Sequence, residues 1–427
     1  MNVRKIVLDA LLKTERSGGY SNLTLDSALK NDELGSQDKR FASALFYGVI
    51  ERKLTLDWIL GKYSSKKLSK LSPLVLTALR MGLYQIMYME KVPDTAAVNE
   101  SVNLIKASKE KYASGFVNAI LRSYLREPQK LPEGNDINDL SVRYSCPEWL
   151  VSELTEYLGE SSAQKMLEVA LEPSYTYIRV NNAVKSADIN KELEKEGISV
   201  FKTDLDECLR IEKFGAIESV DPYKKGLFHI QDMASQLCLN DFSPRRGERL
   251  LDVCSAPGGK TFTAAELMEN EGEIIACDLH PHRVKLVKNG AERLGLSIIS
   301  AKENDASKFN ESFGIFDKII CDVPCSGFGD IGRKPEIKYK DPNDLTNLPN
   351  VQYNILNVSS KYLKRGGTLL YSTCTLRRAE NEAVVEKFLE NNDDFEPVAS
   401  PNGEEYVRLI PGEKRCDGFF YAILRRK

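Results

Sequence analysis

At 427 residues, 42% hydrophobic and 28% charged, the chain has the composition of a globular protein and the length for two or three domains. Its net charge of −3 conceals a split: residues 1–130 carry 21 Lys and Arg against 13 Asp and Glu, while the remainder carries 38 against 49. No apolar run reaches the ~18 residues of a membrane span, and nine scattered cysteines with only three histidines exclude a disulfide framework and argue against a metal site.

The basic surplus is either the footprint of a nucleic-acid module or the solvated face of a helical domain. The opening Met1-Asn2-Val3-Arg4-Lys5 carries no apolar signal core, so a cytoplasmic protein is expected. Over residues 1–130 the spacing predicts a helical bundle. Val3, Val7, Ala10 and Leu11 form one stripe, and Phe41, Leu45, Val49 and Ile50 a second. Val75, Leu79, Leu83 and Ile86 follow, then Val98, Val102 and Ile105, then Val117, Ile120, Leu121, Tyr124 and Leu125. Basic residues such as Arg40, Arg52, Lys53, Lys66, Lys67 and Lys70 cluster around the connecting loops, and the stripe Met81, Tyr84, Met87, Tyr88 reads as core.

Pro128, Pro132, Gly134 and Pro147 mark a linker. Helices are predicted over 149–158 and 162–171, then strands over 177–180 and 198–201 with a helix over 187–196 between them. This is a small α+β piece. Arg179 and Asn181, at the end of its first strand, either touch a phosphate or face water.

From Gly226 onward strands and helices alternate. After a helix over 233–240, strands are predicted over 250–253, 273–277, 297–301, 316–321 and 367–372, and helices over 261–270, 282–294, 350–363 and 379–391. That order builds a parallel, doubly wound sheet, which binds ligands at the carboxyl ends of its strands. The first crossover is the most informative. Leu250, Leu251 and Val253 form a buried strand interrupted by Asp252, and the turn Cys254-Ser255-Ala256-Pro257-Gly258-Gly259-Lys260 leads into a helix. The glycines let the main chain approach a ligand, and the helix start offers free N–H groups. Asp278 ends the second strand, 20 residues beyond Gly258, where a ribose diol is held.

A phosphate-binding P-loop would need glycine at Cys254, and the dinucleotide fingerprint is absent. The carboxylate of Asp252 would repel a pyrophosphate and suits a cationic or zwitterionic ligand, of which S-adenosylmethionine is the natural candidate. The other reading is a strand, turn and helix that hold no ligand. His280 and His282 read as residues that lead into the next helix.

Cys325, after Asp322-Val323-Pro324, and Cys374, after Ser372-Thr373, each follow a predicted strand and should enter the same crevice. One buried cysteine is ordinary core, but two at neighbouring strand ends suggest thiol chemistry. Carbon 5 of cytosine is a poor nucleophile until a thiolate adds to carbon 6 and makes an enamine. Asp322 suits the partner at the pyrimidine N3 and amine, and Cys325 or a water can remove the carbon 5 proton. Methylation of an exocyclic amine needs no thiol and is usually accompanied by Pro-Pro-Tyr or Pro-Pro-Phe; Val323-Pro324-Cys325 stands here instead. The residues alone leave open which cysteine attacks.

Asp252 to Thr261, Asp322-Val323-Pro324-Cys325-Ser326-Gly327 and Ser372-Thr373-Cys374-Thr375, in this order, resemble the RNA cytosine-5 methyltransferases. With the helical module ahead of them, the whole chain is similar to the bacterial members that act on small-subunit (16S) ribosomal RNA, and that module resembles the NusB RNA-binding domain. The resemblance implies a multidomain protein. An all-α NusB-like bundle over 1–130, a linker over 131–147 and a small α+β (RRM-like) piece over 148–225 would precede an α/β doubly wound, Rossmann-like methyltransferase domain over 226–427.

It further implies that Cys374 is the nucleophile and that Cys325 assists product release. Cys254, Ser255, Ala256, Pro257, Gly258, Gly259 and Lys260 would contact the methionine moiety of S-adenosylmethionine. Asp278 would hold the ribose, Asp305 the adenine side, and Asp322 the reaction centre. The partner is 16S ribosomal RNA, naked or in an early particle, with the target base unpaired or flipped out; no metal, no membrane and a monomer are expected. Phe328 and Tyr339 depart from the family's usual pattern and are expected along the RNA path, where Arg333, Lys334, Lys338 and Lys340 either hold the backbone or line a solvated loop. Transfer to tRNA or to an amine is the nearer rival. A non-catalytic antitermination factor is the more distant one, and it accounts for the first 130 residues only.

Overall fold

The computed structural model describes residues 2–17, 21–30, 34–182 and 188–427. The chain divides into two compact units, Met1–Glu156 with Arg333–Lys340, and Tyr157–Gly332 with Asp341–Lys427.

The first unit is helical: α1 (Val3–Ser17), α2 (Ser21–Leu29), α3 (Ser36–Glu51), α4 (Lys53–Tyr63), α5 (Pro73–Tyr88), α6 (Asp94–Lys106), α7 (Ser114–Arg126), α8 (Ile137–Tyr144) and α9 (Glu148–Leu158), the last crossing the division at its C-terminal end. The expected stripes are its core. Val7, Leu11, Leu45 and Val49 gather around Phe46, and Leu79, Leu83, Val98, Ile105 and Leu121 around Leu60. Each such side chain contributes about 1.5–3 kcal/mol by leaving water. Ser72 accepts the N–H of Val75 and Pro73 sets the first turn, which starts α5 where the apolar run begins. Buried Arg80 forks onto Asp57 at 2.7 and 2.8 Å and reaches Glu15 at 2.6 Å, tying α5 to α4 and α1.

The stretch expected to be a linker instead holds α8. Asp136 caps it, Leu140, Val142 and Tyr144 are buried, and Thr55 donates to the carbonyl of Val142. Its apolar residues are too few for a periodicity to show, and the prolines and glycine that flank them dominate the sequence signal.

The second unit starts with α10 (Glu160–Val169) and a four-stranded antiparallel sheet. Its strands are β1 (Thr176–Val180), β2 (Ser199–Lys202), β3 (Cys208–Glu212) and β4 (Phe228–Ile230), in the order β2-β3-β1-β4. Helices α11 (Ile189–Lys195) and α12 (Asp221–Lys224) accompany it. The helix expected from residue 187 begins at Ile189, and residue 187 itself lies outside the described residues. Arg179 and Asn181 neither face water nor await a phosphate: Arg179 pairs with Glu266 at 2.8 Å in the interior, and Asn181 donates to the carbonyls of Gly226 and Leu294.

The large sheet is built from β5 (Arg249–Asp252), β6 (Glu273–Asp278), β7 (Ile299–Glu303), β8 (Phe316–Asp322), β9 (Leu363–Thr373), β10 (Phe395–Val398), β11 (Tyr406–Leu409) and β12 (Phe419–Arg426). The order is β7-β6-β5-β8-β9-β12-β10, with β11 beside β12. Strands β5 to β9 are parallel. Strand β12 enters antiparallel to β9, so the sheet is mixed rather than wholly parallel as expected.

Helices α13 (Met233–Phe242), α14 (Gly259–Leu267) and α15 (Pro281–Leu294) cover one face, and α16 (Leu348–Ser360) and α17 (Glu382–Glu390) the other. Successive residues point to opposite faces: Leu250, Ile274, Ile320 and Leu370 pack on the first set, Leu251, Ile275, Ile319 and Leu369 on the second. Burial on both sides is why these strands read as unbroken apolar runs.

Candidate active site

The chain order reverses around β5: β6 and β7 lie on one side of it, β8 and β9 on the other. In a sheet of this kind the carboxyl ends at such a reversal are where ligands bind. Asp252 ends β5 and Asp322 ends β8, while Thr373 ends β9 with Cys374 next. Because β8 and β9 pair Asp322 with Ser372, the Ser372 hydroxyl donates to Asp322 Oδ1 at 2.8 Å.

The turn after β5 is a cradle. Ser255 is pinned to the carbonyl of Cys277 through its N–H at 2.7 Å and its hydroxyl at 2.9 Å, and Arg283 donates to the carbonyl of Ala256 at 2.8 Å. Gly258 has φ +117°, and a Cβ there would stand 2.2 Å from the ring of Phe262. Only glycine fits. Beneath the turn, fully buried Asp252 accepts from Thr261 at 2.6 Å, and burial pushes its carboxyl up to about 7. Its Oδ1, and the Nε2 of nearby Gln231, have no partner among the described residues. Burial likewise raises the thiol of Cys254.

At the end of β6, Asp278 is 4% exposed, accepts the N–H of His280 at 3.2 Å, and lies 3.5 Å from Arg283. His280 and His282 stack at the start of α15, as residues leading into a helix. Asp305 is held by Ser307 and by Lys308 at 3.0 Å; the Ser307 hydroxyl, then Lys308, lower its carboxyl. A bare turn, orphaned buried polar atoms and a strand-end acid fit a nucleoside carrying a charged amino-acid tail.

Lys260, expected on that tail, directs its ammonium to the acid at the end of β8. Nζ lies 2.8 Å from Asp322 Oδ2 and 3.3 Å from Ser235 Oγ. Burial opposes its charge, but Asp322, together with Cys238 and Cys374, outweighs that and holds the ammonium above its ordinary range. The two expected thiols meet: Cys325 Sγ is 3.3 Å from Cys374 Sγ, both partly accessible. The hydrogen bond with Cys325, then burial, pushes the Cys374 thiol well up.

The structure therefore brings Asp252, Lys260, Asp322, Cys325 and Cys374 to adjoining strand ends and loops. Two of the residues expected along the RNA path, Phe328 and Lys338, are buried instead, Phe328 fully. Lys338 is buried within the helical unit, where it donates to the carbonyl of Glu51 at 2.8 Å, and Tyr339 bonds to the Ser145 hydroxyl at 3.2 Å. A lysine shortly after a cysteine loop looks like a phosphate ligand in sequence, and nothing local betrays its burial.

Sequence reasoning also missed four polar residues around the thiols: Ser372, Gln352, Glu380 and Asn381. The last three are buried and form hydrogen bonds to the cysteine loops. Only Ser372, beside a cysteine already singled out, had any signal to find it by.

Residues 240–425 match the family model described as 16S rRNA methyltransferase RsmB/F, residues 1–126 that of the NusB family, and residues 146–218 an RsmF/B-like ferredoxin-like domain. The chain is 40% identical to the probable ribosomal RNA small subunit methyltransferase B of Bacillus subtilis (strain 168), over 100% of this chain and 99% of that protein. It is 32% identical to the protein of the same name from Synechocystis sp. (strain ATCC 27184 / PCC 6803 / Kazusa), over 100% of both. The crystal structure of PH0851 superposes on all of this chain and 99% of its own with a TM-score of 0.83 at 25% identity. A NusB domain, a ferredoxin-like middle domain and a Rossmann-like catalytic domain, joined over the full length of such relatives, place this chain in the family of ribosomal RNA small subunit methyltransferases B.

Proposed function

We propose that the protein transfers a methyl group from S-adenosylmethionine to carbon 5 of a cytidine in 16S ribosomal RNA, through a transient bond between Cys374 and carbon 6. The observation that carries this reading is the pair of thiols 3.3 Å apart, beside the Asp322–Lys260 ion pair. An amine methyltransferase has no use for either thiol. The basic helical module supplies RNA affinity, and the α/β domain the chemistry.

S-adenosylmethionine supplies an electrophilic methyl group. The turn from Cys254 to Gly259 would hold its amino-acid end, with Asp252 beneath, Asp278 taking the ribose and Asp305 the adenine side. The Cys374 thiolate adds to carbon 6, and the electron pair of the 5,6 double bond moves toward N3. Asp322 accepts from the exocyclic amine, while the Lys260 ammonium stabilises the charge that grows at N3. Carbon 5 takes the methyl, and the sulfonium electron pair stays on the departing thioether. Cys325 or a water then takes the carbon 5 proton, and the electron pair of that carbon–hydrogen bond re-forms the double bond as the bond from carbon 6 to sulfur breaks and the Cys374 thiolate leaves.

Incubation with labelled S-adenosylmethionine and 16S ribosomal RNA, followed by mass spectrometry of the nucleosides, should yield 5-methylcytidine. Cys325→Ala should retain protein linked to RNA on a denaturing gel, and the further change Cys374→Ala should abolish the link. Undiminished turnover in Cys374→Ser would overturn the mechanism, and methylation of tRNA in preference to 16S RNA would overturn the substrate.

A further inference from the structure

Two consecutive residues that belong to neither cysteine motif hold both cysteine loops. Glu380 ends a short helical turn (Arg378–Glu380) and is fully buried. Its Oε2 accepts the N–H of Ser326 at 2.8 Å and the amide of Gln352 at 2.9 Å, and its Oε1 accepts from Arg377 at 3.0 Å. The same Gln352 amide donates to the carbonyl of Pro324 at 3.0 Å. Both neighbours of Cys325 are thus tied to Glu380, one directly and one through Gln352.

Asn381 treats Cys374 in the same way. It accepts from the Thr373 hydroxyl at 2.6 Å and donates to the carbonyl of Thr375 at 3.0 Å, so both neighbours of Cys374 are fixed to one side chain. The hydroxyls of Ser326 and Thr375 join the loops at 2.8 Å, and Tyr371 anchors the carbonyl of Glu380 to β9 at 2.6 Å. A carboxylate is expensive to bury, and an apolar side chain of similar volume often serves stability as well or better. What an apolar side chain lacks is directed acceptors.

We infer that Glu380 and Asn381 are positioning residues that set the separation of the Cys325 and Cys374 thiols, neither touching substrate nor cofactor. That this matters for methyl transfer rests on the covalent reading above, whereas the separation itself is measurable without it. A displacement of about 1 Å at a reacting centre can cost roughly a hundredfold in rate.

The test uses the full chain. Diamide, a two-electron oxidant, takes one proton and one electron from each thiol, joins the two sulfurs and is itself reduced to the hydrazine. Appearance of the peptide pair linked through Cys325 and Cys374 is followed by mass spectrometry, alongside single-turnover methyl transfer, donor affinity and thermal melting. Glu380→Ala and Asn381→Ala should slow the linkage and the single-turnover rate by about ten- to a hundredfold, with donor affinity within twofold of the parent. Glu380→Gln, which keeps an acceptor for Ser326 but turns a donor toward Arg377, should fall between.

Should Glu380→Ala fail to fold, Gln352→Leu cuts the tie to Pro324 while keeping bulk and carries the same expectation. Linkage at the parental rate in folded Glu380 and Asn381 variants overturns the inference, as does a loss of rate that follows donor affinity and melting in step. If Cys374→Ser keeps turnover while linkage still slows in the Glu380 variants, the covalent reading fails and the positioning role stands.

Discussion

The Sγ atoms of Cys325 and Cys374 lie 3.3 Å apart although their loops are 49 residues apart in sequence. The contact works against the proposed nucleophile at rest, because the bond to Cys325 is the foremost reason that the Cys374 thiol sits well above its ordinary range. Thiolate is the reactive form, so the resting enzyme keeps its nucleophile quiet.

Removing the partner should therefore awaken it. In Cys325→Ala, alkylation of Cys374 by iodoacetamide at pH 7.5 should be several-fold faster than in the parent, and in both proteins it should climb with pH. Peptide mapping by mass spectrometry reads it directly. Equal rates would mean that the thiol–thiol bond does not govern reactivity.

Lys260 separates two roles. As the partner of Asp322 it acts on the chemistry, and as a contact to the donor's amino-acid tail it acts on affinity. The 2.8 Å ion pair favours the first. Lys260→Met should lower the single-turnover rate by about a hundredfold, the scale of a lost electrostatic contact at a reacting centre, with donor affinity changed less than threefold by calorimetry. A large loss of affinity with an intact rate would reverse the assignment.

Asp252 makes stability depend on pH. Its carboxyl is pushed up to about 7 by burial in the folded protein, against 3.8 in its ordinary state. Between those values the folded chain holds a proton that the unfolded chain has released. The stabilisation is complete below the unfolded value and drains as pH rises through about 7, by roughly 1.4 kcal/mol per pH unit over that window. Asp252→Asn cannot ionise, so in urea unfolding without donor the parent should lose stability relative to this variant by a few kcal/mol between pH 4 and pH 7.5. Parallel pH profiles would contradict the assignment.

The buried pair Arg179–Glu266 joins the ferredoxin-like sheet to α14. Glu266→Leu strands a guanidinium in the interior and should cost about 3–5 kcal/mol, whereas Arg179→Met with Glu266→Leu should recover much of that. Chemical unfolding of the two variants beside the parent decides. If the double variant is no better than the single one, the pair is worth more than its apolar replacement.

The parts of the fold legible in the sequence are those where one local rule dominates. Leu250 and Leu251, buried on opposite faces, read as a strand because nothing polar interrupts them but Asp252. Gly258, at φ +117°, announces a turn that no other residue makes. Cys325 and Cys374 could be placed in one crevice because strand ends converge in any doubly wound sheet.

What stayed hidden was set by contacts distant in sequence. Strand β12 is apolar along most of its length, yet its antiparallel place beside β9 depends on pairing, not pattern. Helix α8 owes its order to Thr55 and to packing, and proline-rich flanks obscured it. Glu380 carries no mark of the three donors it accepts from, since a carboxylate at the start of a helix is an ordinary surface residue in any sequence.

Residues 333–340 belong to the helical unit although the chain on either side of them belongs to the other. Anyone expressing the α/β portion alone by starting the gene at residue 157 will carry that peptide along without its sheath. Tyr339 will have lost the serine it bonds, and Lys338 the backbone oxygen that accepts its hydrogen bond. Such a fragment is a recipe for inclusion bodies, and its inactivity would say nothing about what the helices do for RNA. A fairer dissection keeps both units and alters the bonded pairs one at a time.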